Sequence, residues 1–159
     1  MKTVLIYTTI HGTTEKVAHY RAEHLADVTI LKLSNSSDIS ISSFDRVILG
    51  GSIHIGSVQS SLKKFCTKHR HQLLSKPVAL FVCGMEEEPA KQEEELRLAF
   101  PEEISKHAMA KAFVGGEFLF EKMNFIQRMM IKKIAHTDVS RSEIKYDVLN
   151  SFISEIESN

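Results

Sequence analysis

"VLIYTTIHGTT", residues 4–14, decides the fold. Val4 to Tyr7 are apolar or aromatic without alternation, as in a strand covered on both faces. The run breaks into Thr8, Thr9, Ile10, His11, Gly12, Thr13 and Thr14. Glu15 follows, then Val17, Ala18, Ala22, Leu25 and Ala26 at helical spacing. A buried strand that leaves through a hydroxyl-rich turn into an amphipathic helix is the first half of a parallel β–α–β unit.

The same alternation continues outward. Short apolar runs recur at Val28 to Leu33, Val47 to Leu49, Val78 to Val82 and Ala112 to Val114. Only VTILKL, 28–33, is interrupted by polar residues (Thr29 and Lys32), which predicts the edge strand. Val58, Leu62, Phe65, Cys66, His69 and Leu73 predict a second helix. A third is expected over about 88–100, with Pro101 opening a short further turn, and two more over about 119–135 and 146–157. The expectation is one α/β domain over 1–159, a three-layer sandwich with a five-stranded parallel sheet and helices on both faces.

In such a sheet, ligands sit beyond the carboxyl ends of the strands. The turn 8–14 lies at such an end and runs into a helix N-terminus, where unpaired N–H groups and partial positive charge attract anions. The threonine hydroxyls add neutral donors, and Gly12 allows close backbone approach. The plain alternative is a capping turn, yet capping needs one hydroxyl residue and not Thr8, Thr9, Thr13 and Thr14 together. The turn therefore predicts a phosphate pocket. The lysine-bearing phosphate loop of nucleoside triphosphatases and the G-x-G-x-x-G dinucleotide fingerprint are both missing.

With these residues in view, the turn resembles the phosphate loop of flavodoxins, roughly T/S-x-T-G-x-T, filled here by Thr9 to Thr14. A resemblance over nearly the whole chain points to the flavodoxin-like family that includes the bacterial menaquinone-dependent protoporphyrinogen oxidase. MKTVLIYTTIHGTT at 1–14, FDRVILGGSIHIGSVQSSLKKF at 44–65 and FIQRMMIKKIAHTDVSRSEIKYDVLNSF at 125–152 carry it. The segment 84–108 departs from the family pattern, and Ile10 stands where a hydroxyl residue is usual. The resemblance implies strand order 2-1-3-4-5 and one bound FMN. Its phosphate would lie on Thr9, Ile10, His11, Gly12, Thr13 and Thr14. Its ring would lie between Ser52, Ile53, His54, Ile55 and Gly56 on one side and Cys83, Gly84 and Met85 on the other. Gly50, Gly51 and Gly56 would supply close approach and positive φ. Flavodoxins stack an aromatic residue on the ring, an interaction of about 0.5–1.5 kcal/mol; here His54 is the only ring in either loop, which implies weak flavin retention and an open ring face.

Three function classes follow. The first is an oxidoreductase passing hydrogen equivalents from a porphyrinogen through FMN to a quinone; the second is a flavodoxin-type carrier docking a redox partner protein; the third is a cofactor-poor interaction module on the same scaffold. Between 86 and 103 eight glutamates face Lys91 and Arg97 alone, a patch suited either to solvent or to docking. The segment 118–136 is too apolar for a surface helix and carries Lys122, Arg128, Lys132 and Lys133 against Glu121. It reads as a crevice-filling helix, a homodimer interface or a peripheral membrane contact. The chain holds 20 basic and 20 acidic residues, which gives no argument for nucleic acid. The N-terminal apolar run is too short for a signal peptide, no stretch reaches the ~20 residues of a membrane span, and Cys66 and Cys83 do not make a disulfide framework. The expected location is the cytoplasm, with peripheral contact at the inner face of the membrane left open by the segment 118–136. The histidines show no metal-ligand spacing, so no metal is expected.

Overall fold

A computed structural model of the chain describes residues 1–34, 38–53, 58–118, 126, 128, 129, 133 and 141–159. Five parallel strands form the sheet: β1 Thr3–Tyr7, β2 Val28–Lys32, β3 Arg46–Ser52, β4 Val78–Cys83 and β5 Ala110–Phe113. Their spatial order is β2-β1-β3-β4-β5. Tyr7 lies opposite both Lys32 and Gly50, and Ser52 lies opposite Cys83, so β3 and β4 end level and β1 ends two residues earlier at the same edge of the sheet.

Alternate residues of each strand enter different cores. Val4, Ile6, Val47, Leu49, Leu80 and Val82 pack under α2 Ser60–Lys68, α3 Arg70–Leu74, α4 Pro89–Ala99 and α5 Glu102–His107. Leu5, Tyr7, Ile48, Ala79, Phe81 and Cys83 pack under α1 Thr13–Ala22 and α6 Tyr146–Ser158. β1, β3 and β4 are buried almost throughout, while β2 alternates between exposed and half-buried residues, as an edge strand with Thr29 and Lys32 should.

Two elements differ from the periodicity. The first helix stops at Ala22, and the chain turns through Asp27 in the left-handed region (φ 55°) so that Asp27 O can accept from Thr3 N at 3.0 Å. The predicted second helix divides at His69, although Leu62, Phe65, Cys66 and Leu73 all reach the core as their spacing requires. Beyond β5 the chain turns at Gly115 into a two-stranded antiparallel ribbon, β6 Glu117–Phe118 and β7 Arg141–Ser142. The ribbon is the stem of the segment 119–140, and most of the helix expected over 119–135 lies outside the described residues.

Candidate functional site

The turn after β1 keeps the predicted strand-to-helix geometry. Gly12 precedes α1 with φ 92°, a conformation that disfavours any side chain. Its N–H donates to Thr9 Oγ1 at 2.9 Å, and its carbonyl accepts from Lys16 N at 3.0 Å. Gly12, the N-cap residue, has no side chain with which to cap α1. The first-turn N–H groups of α1 point beyond the sheet edge. Ile10 is exposed and His11 half-buried at the rim.

Thr14 lies deeper. It is fully buried, and its hydroxyl has no nitrogen or oxygen partner among the described residues. The polar atom beside it is the Cys83 thiol, which burial pushes up to about 12 while the Thr14 hydroxyl pulls it the other way. Cys83 thus turns its side chain into the core under α1 rather than into the loop. Arg21, two turns further along α1, is also fully buried. Its guanidinium stacks 4.0 Å from the Phe152 ring centroid and 5.2 Å from that of Phe81, and among the described residues none of its three nitrogens has a hydrogen-bond partner. Burial pushes that guanidinium down to about 9.

Two side chains that sequence reasoning did not single out tie the loops together. Gln59 accepts from Thr8 Oγ1 at 2.6 Å and donates to Ser52 Oγ at 2.9 Å, clamping the exit of β1 to that of β3. Glu117 accepts from Thr13 Oγ1 at 3.2 Å and from Lys16 Nζ at 2.9 Å. Burial would raise its carboxyl, but bonds from Lys16, Ser142 and Thr13 outweigh that and hold it below the usual carboxylate range. Tyr7 donates its hydroxyl to Glu15 at 2.7 Å, and burial together with that carboxylate raises its phenol.

The second and third predicted loops adjoin. Ile53 N donates to Cys83 O at 2.7 Å, and Gly84 N donates to Gly115 O at 2.9 Å. These bonds occupy the main-chain groups nearest the strand ends. His54, Ile55 and Gly56 lie outside the described residues. Gly50 and Gly51 are extended residues of β3, without the positive φ expected for them. A Cβ on Gly50 would sit 2.1 Å from Phe81 Cζ and displace that ring, while one on Gly51 would meet the terminal methyl Leu62 Cδ2 at 2.7 Å. Beyond Gly84 and Met85 lies a cavity of about 170 Å³, lined also by Glu86, Gln92, Gly115 and Lys145. Lys145 Nζ reaches Gln92 Oε1 at 3.3 Å there.

With the sheet order β2-β1-β3-β4-β5 in place, the chain matches a known family over most of its length: the flavodoxin domain aligns with residues 4–144. The chain belongs to the flavodoxin domain family. Over 157 residues this flavodoxin domain is 22% identical to the protoporphyrinogen IX dehydrogenase [quinone] of Escherichia coli, covering 94% of this chain and 87% of that protein. Among solved structures it is similar to a short-chain flavodoxin associated with a bacterial microcompartment (TM-score 0.58, 14% identity, 99% of this chain and 98% of that one). It is also similar to the Fusobacterium nucleatum flavodoxin bound to flavin mononucleotide (TM-score 0.52, 14% identity, 99% and 98%). Among the described residues, no helix of the domain is long and apolar enough to cross a membrane.

Proposed function

We propose that this flavodoxin domain is an FMN-binding redox protein, and that it works as an oxidoreductase taking hydrogen equivalents from a porphyrinogen to a quinone. The observation that carries the flavin reading is the first turn of α1 behind the glycine N-cap Gly12, with the fully buried Thr14 hydroxyl, which has no nitrogen or oxygen partner among the described residues, behind it. A buried hydroxyl without an oxygen or nitrogen partner costs about 1–3 kcal/mol, and a phosphate oxygen is the kind of acceptor that would satisfy it. Thr9, Ile10, His11, Gly12, Thr13 and Thr14 would hold the phosphate through first-turn N–H groups and hydroxyls, with a protonated His11 adding charge at the rim. Ser52 and Ile53, with His54, Ile55 and Gly56, would form one wall of the ring site, and Cys83, Gly84 and Met85 the other. Because the Cys83 side chain is packed inward, its part in that wall is main-chain. When bound, FMN supplies the hydride and electron chemistry; the protein binds, orients and shields it.

The enzyme reading is supported by likeness to the Escherichia coli dehydrogenase along 94% of the chain. The exposed side chains of the 119–140 segment add to it. Ile126 and Met129 are 68% and 54% exposed, and Arg128 and Lys133 are exposed beside them. Apolar and basic groups together suit the headgroup boundary of a membrane, where a quinone resides. The protein would then work from the cytoplasmic face. A second reading, a flavodoxin-type carrier, is favoured by the largely exposed, glutamate-rich α4, a surface that a cationic redox partner would meet.

Titration of FMN into the purified protein, followed by fluorescence quenching and the flavin absorbance shift, tests the first step. No binding at millimolar FMN removes both flavin readings. Protoporphyrinogen with a menaquinone analogue then separates them, since no turnover above autoxidation leaves the carrier.

A further inference from the structure

Glu117 lies 104 positions from Thr13 in sequence, yet its carboxylate is only 4% exposed and sits against the first turn of α1. It takes the Thr13 hydroxyl at 3.2 Å and the Lys16 ammonium at 2.9 and 3.2 Å, and Ser142 of the same ribbon also bonds to it. Long side chains on a helix lean toward its N-terminus, which carries the Lys16 ammonium toward the glycine-capped end. A fixed carboxylate therefore stands where the helix field and the nearest lysine would otherwise favour an incoming anion.

The two partners differ in freedom. The ribbon is held by its main chain: Glu143 N donates to Gly116 O at 2.7 Å, and Gly84 N to Gly115 O at 2.9 Å. A Cβ on Gly116 would meet Gly84 O at 2.9 Å, so the ribbon rests directly on the neighbouring loop. Glu117 therefore projects from a stem whose main chain is fixed, and its carboxylate is enclosed at 4% exposure. The Lys16 side chain is 56% exposed and can swing.

We infer that Glu117 is an internal anion that competes with the terminal phosphate of FMN for the Lys16 ammonium and the field of α1. It thereby sets how strongly the domain prefers FMN over phosphate-free riboflavin. The inference rests on the FMN reading above. It makes Glu117 an affinity-setting residue and Lys16 the shared counter-ion, with the stem of the 119–140 segment coupled to occupancy of the phosphate site. Ribbon and phosphate compete for one lysine, so each weakens the other's hold on α1.

Dissociation constants for FMN and for riboflavin, measured at low and high salt on the wild type, Glu117→Gln and Lys16→Gln, test it. Glu117→Gln keeps the shape and removes the charge, so FMN binding should tighten about tenfold at low salt. Riboflavin binding should stay as it was, and the gain should shrink at high salt. Lys16→Gln, at an exposed position, should weaken FMN alone, and it tests the same competition if Glu117→Gln fails to fold. An unchanged FMN constant in the folded variants overturns the inference. So do FMN and riboflavin constants that shift together, which would mark Glu117 as an anchor of the ribbon only. A wild-type protein that binds neither flavin overturns the FMN reading beneath it, an outcome distinct from a wild type that binds FMN with unaltered variants.

Discussion

Replacing Thr14 with valine removes one oxygen and keeps the volume, the β-branch and the helical geometry. That oxygen is fully enclosed and faces the Cys83 thiol, a weak partner, with no nitrogen or oxygen in reach among the described residues. Leaving a buried hydroxyl unsatisfied costs about 1–3 kcal/mol. The thiol offsets part of that, so Thr14→Val should stabilise the ligand-free protein by about 1 kcal/mol. For a chain of this size that corresponds to a rise in Tm of about 2–4 °C. The effect on FMN has the opposite sign. A hydrogen bond to a charged phosphate contributes about 1.5–3 kcal/mol, so the dissociation constant should rise roughly 10- to 150-fold. Thermal or urea unfolding without ligand, paired with fluorescence titration of FMN, gives both numbers on one preparation. Gain of stability with loss of affinity is the signature of a group held in an unfavourable state for binding. A valine variant that is less stable than wild type and binds FMN unchanged would refute the reasoning, because the hydroxyl would then be a satisfied part of the core.

Gly50→Ala should destabilise by about 1–3 kcal/mol or more, since its Cβ would overlap the Phe81 ring at 2.1 Å; urea unfolding measures this, and Phe81→Leu in the same chain should recover part of the loss. Arg21→Met should stabilise by about 1–4 kcal/mol at neutral pH, because a buried guanidinium with no hydrogen-bond partner among the described residues is replaced by an apolar chain that keeps the packing on Phe152. The folded value of about 9 lies below the ordinary guanidinium range, so above pH 9 the unfolded chain holds a proton that the folded chain sheds, wild-type stability gains, and the advantage of the variant shrinks. Unfolding of the two proteins compared from pH 7 to 11 reads that convergence; an advantage that widens with pH contradicts it. Cys66 and Cys83 are buried, and burial pushes both thiols up to about 12. A thiol reagent at pH 8 should therefore label neither in the native protein and both in denaturant, and rapid native labelling would show that one of them reaches solvent.

The apolar runs of the sequence determined the sheet. A strand covered on both faces must be apolar throughout, and this local property located β1, β3 and β4 and placed β2, with Thr29 and Lys32, at the edge. The turn 8–14 was equally legible as a strand-to-helix turn, since an apolar run that breaks into hydroxyl residues and a glycine ahead of a helical pattern is a local feature; the positive φ of Gly12 was not foreseen. Other features were decided only by tertiary structure. Gly50 reads as a flexible loop residue until Phe81 of the next strand is seen in its place. Gln59 and Glu117 carry no motif; each matters because chain closure brings it 51 or 104 positions back to the turn after β1. The same distance hid the buried state of Thr14 and Arg21, whose only visible signals are a hydroxyl and a charge on one helix. Hydrophobic pattern is written residue by residue, but the partner of a polar group depends on which distant segment folds against it, and a single sequence does not record that.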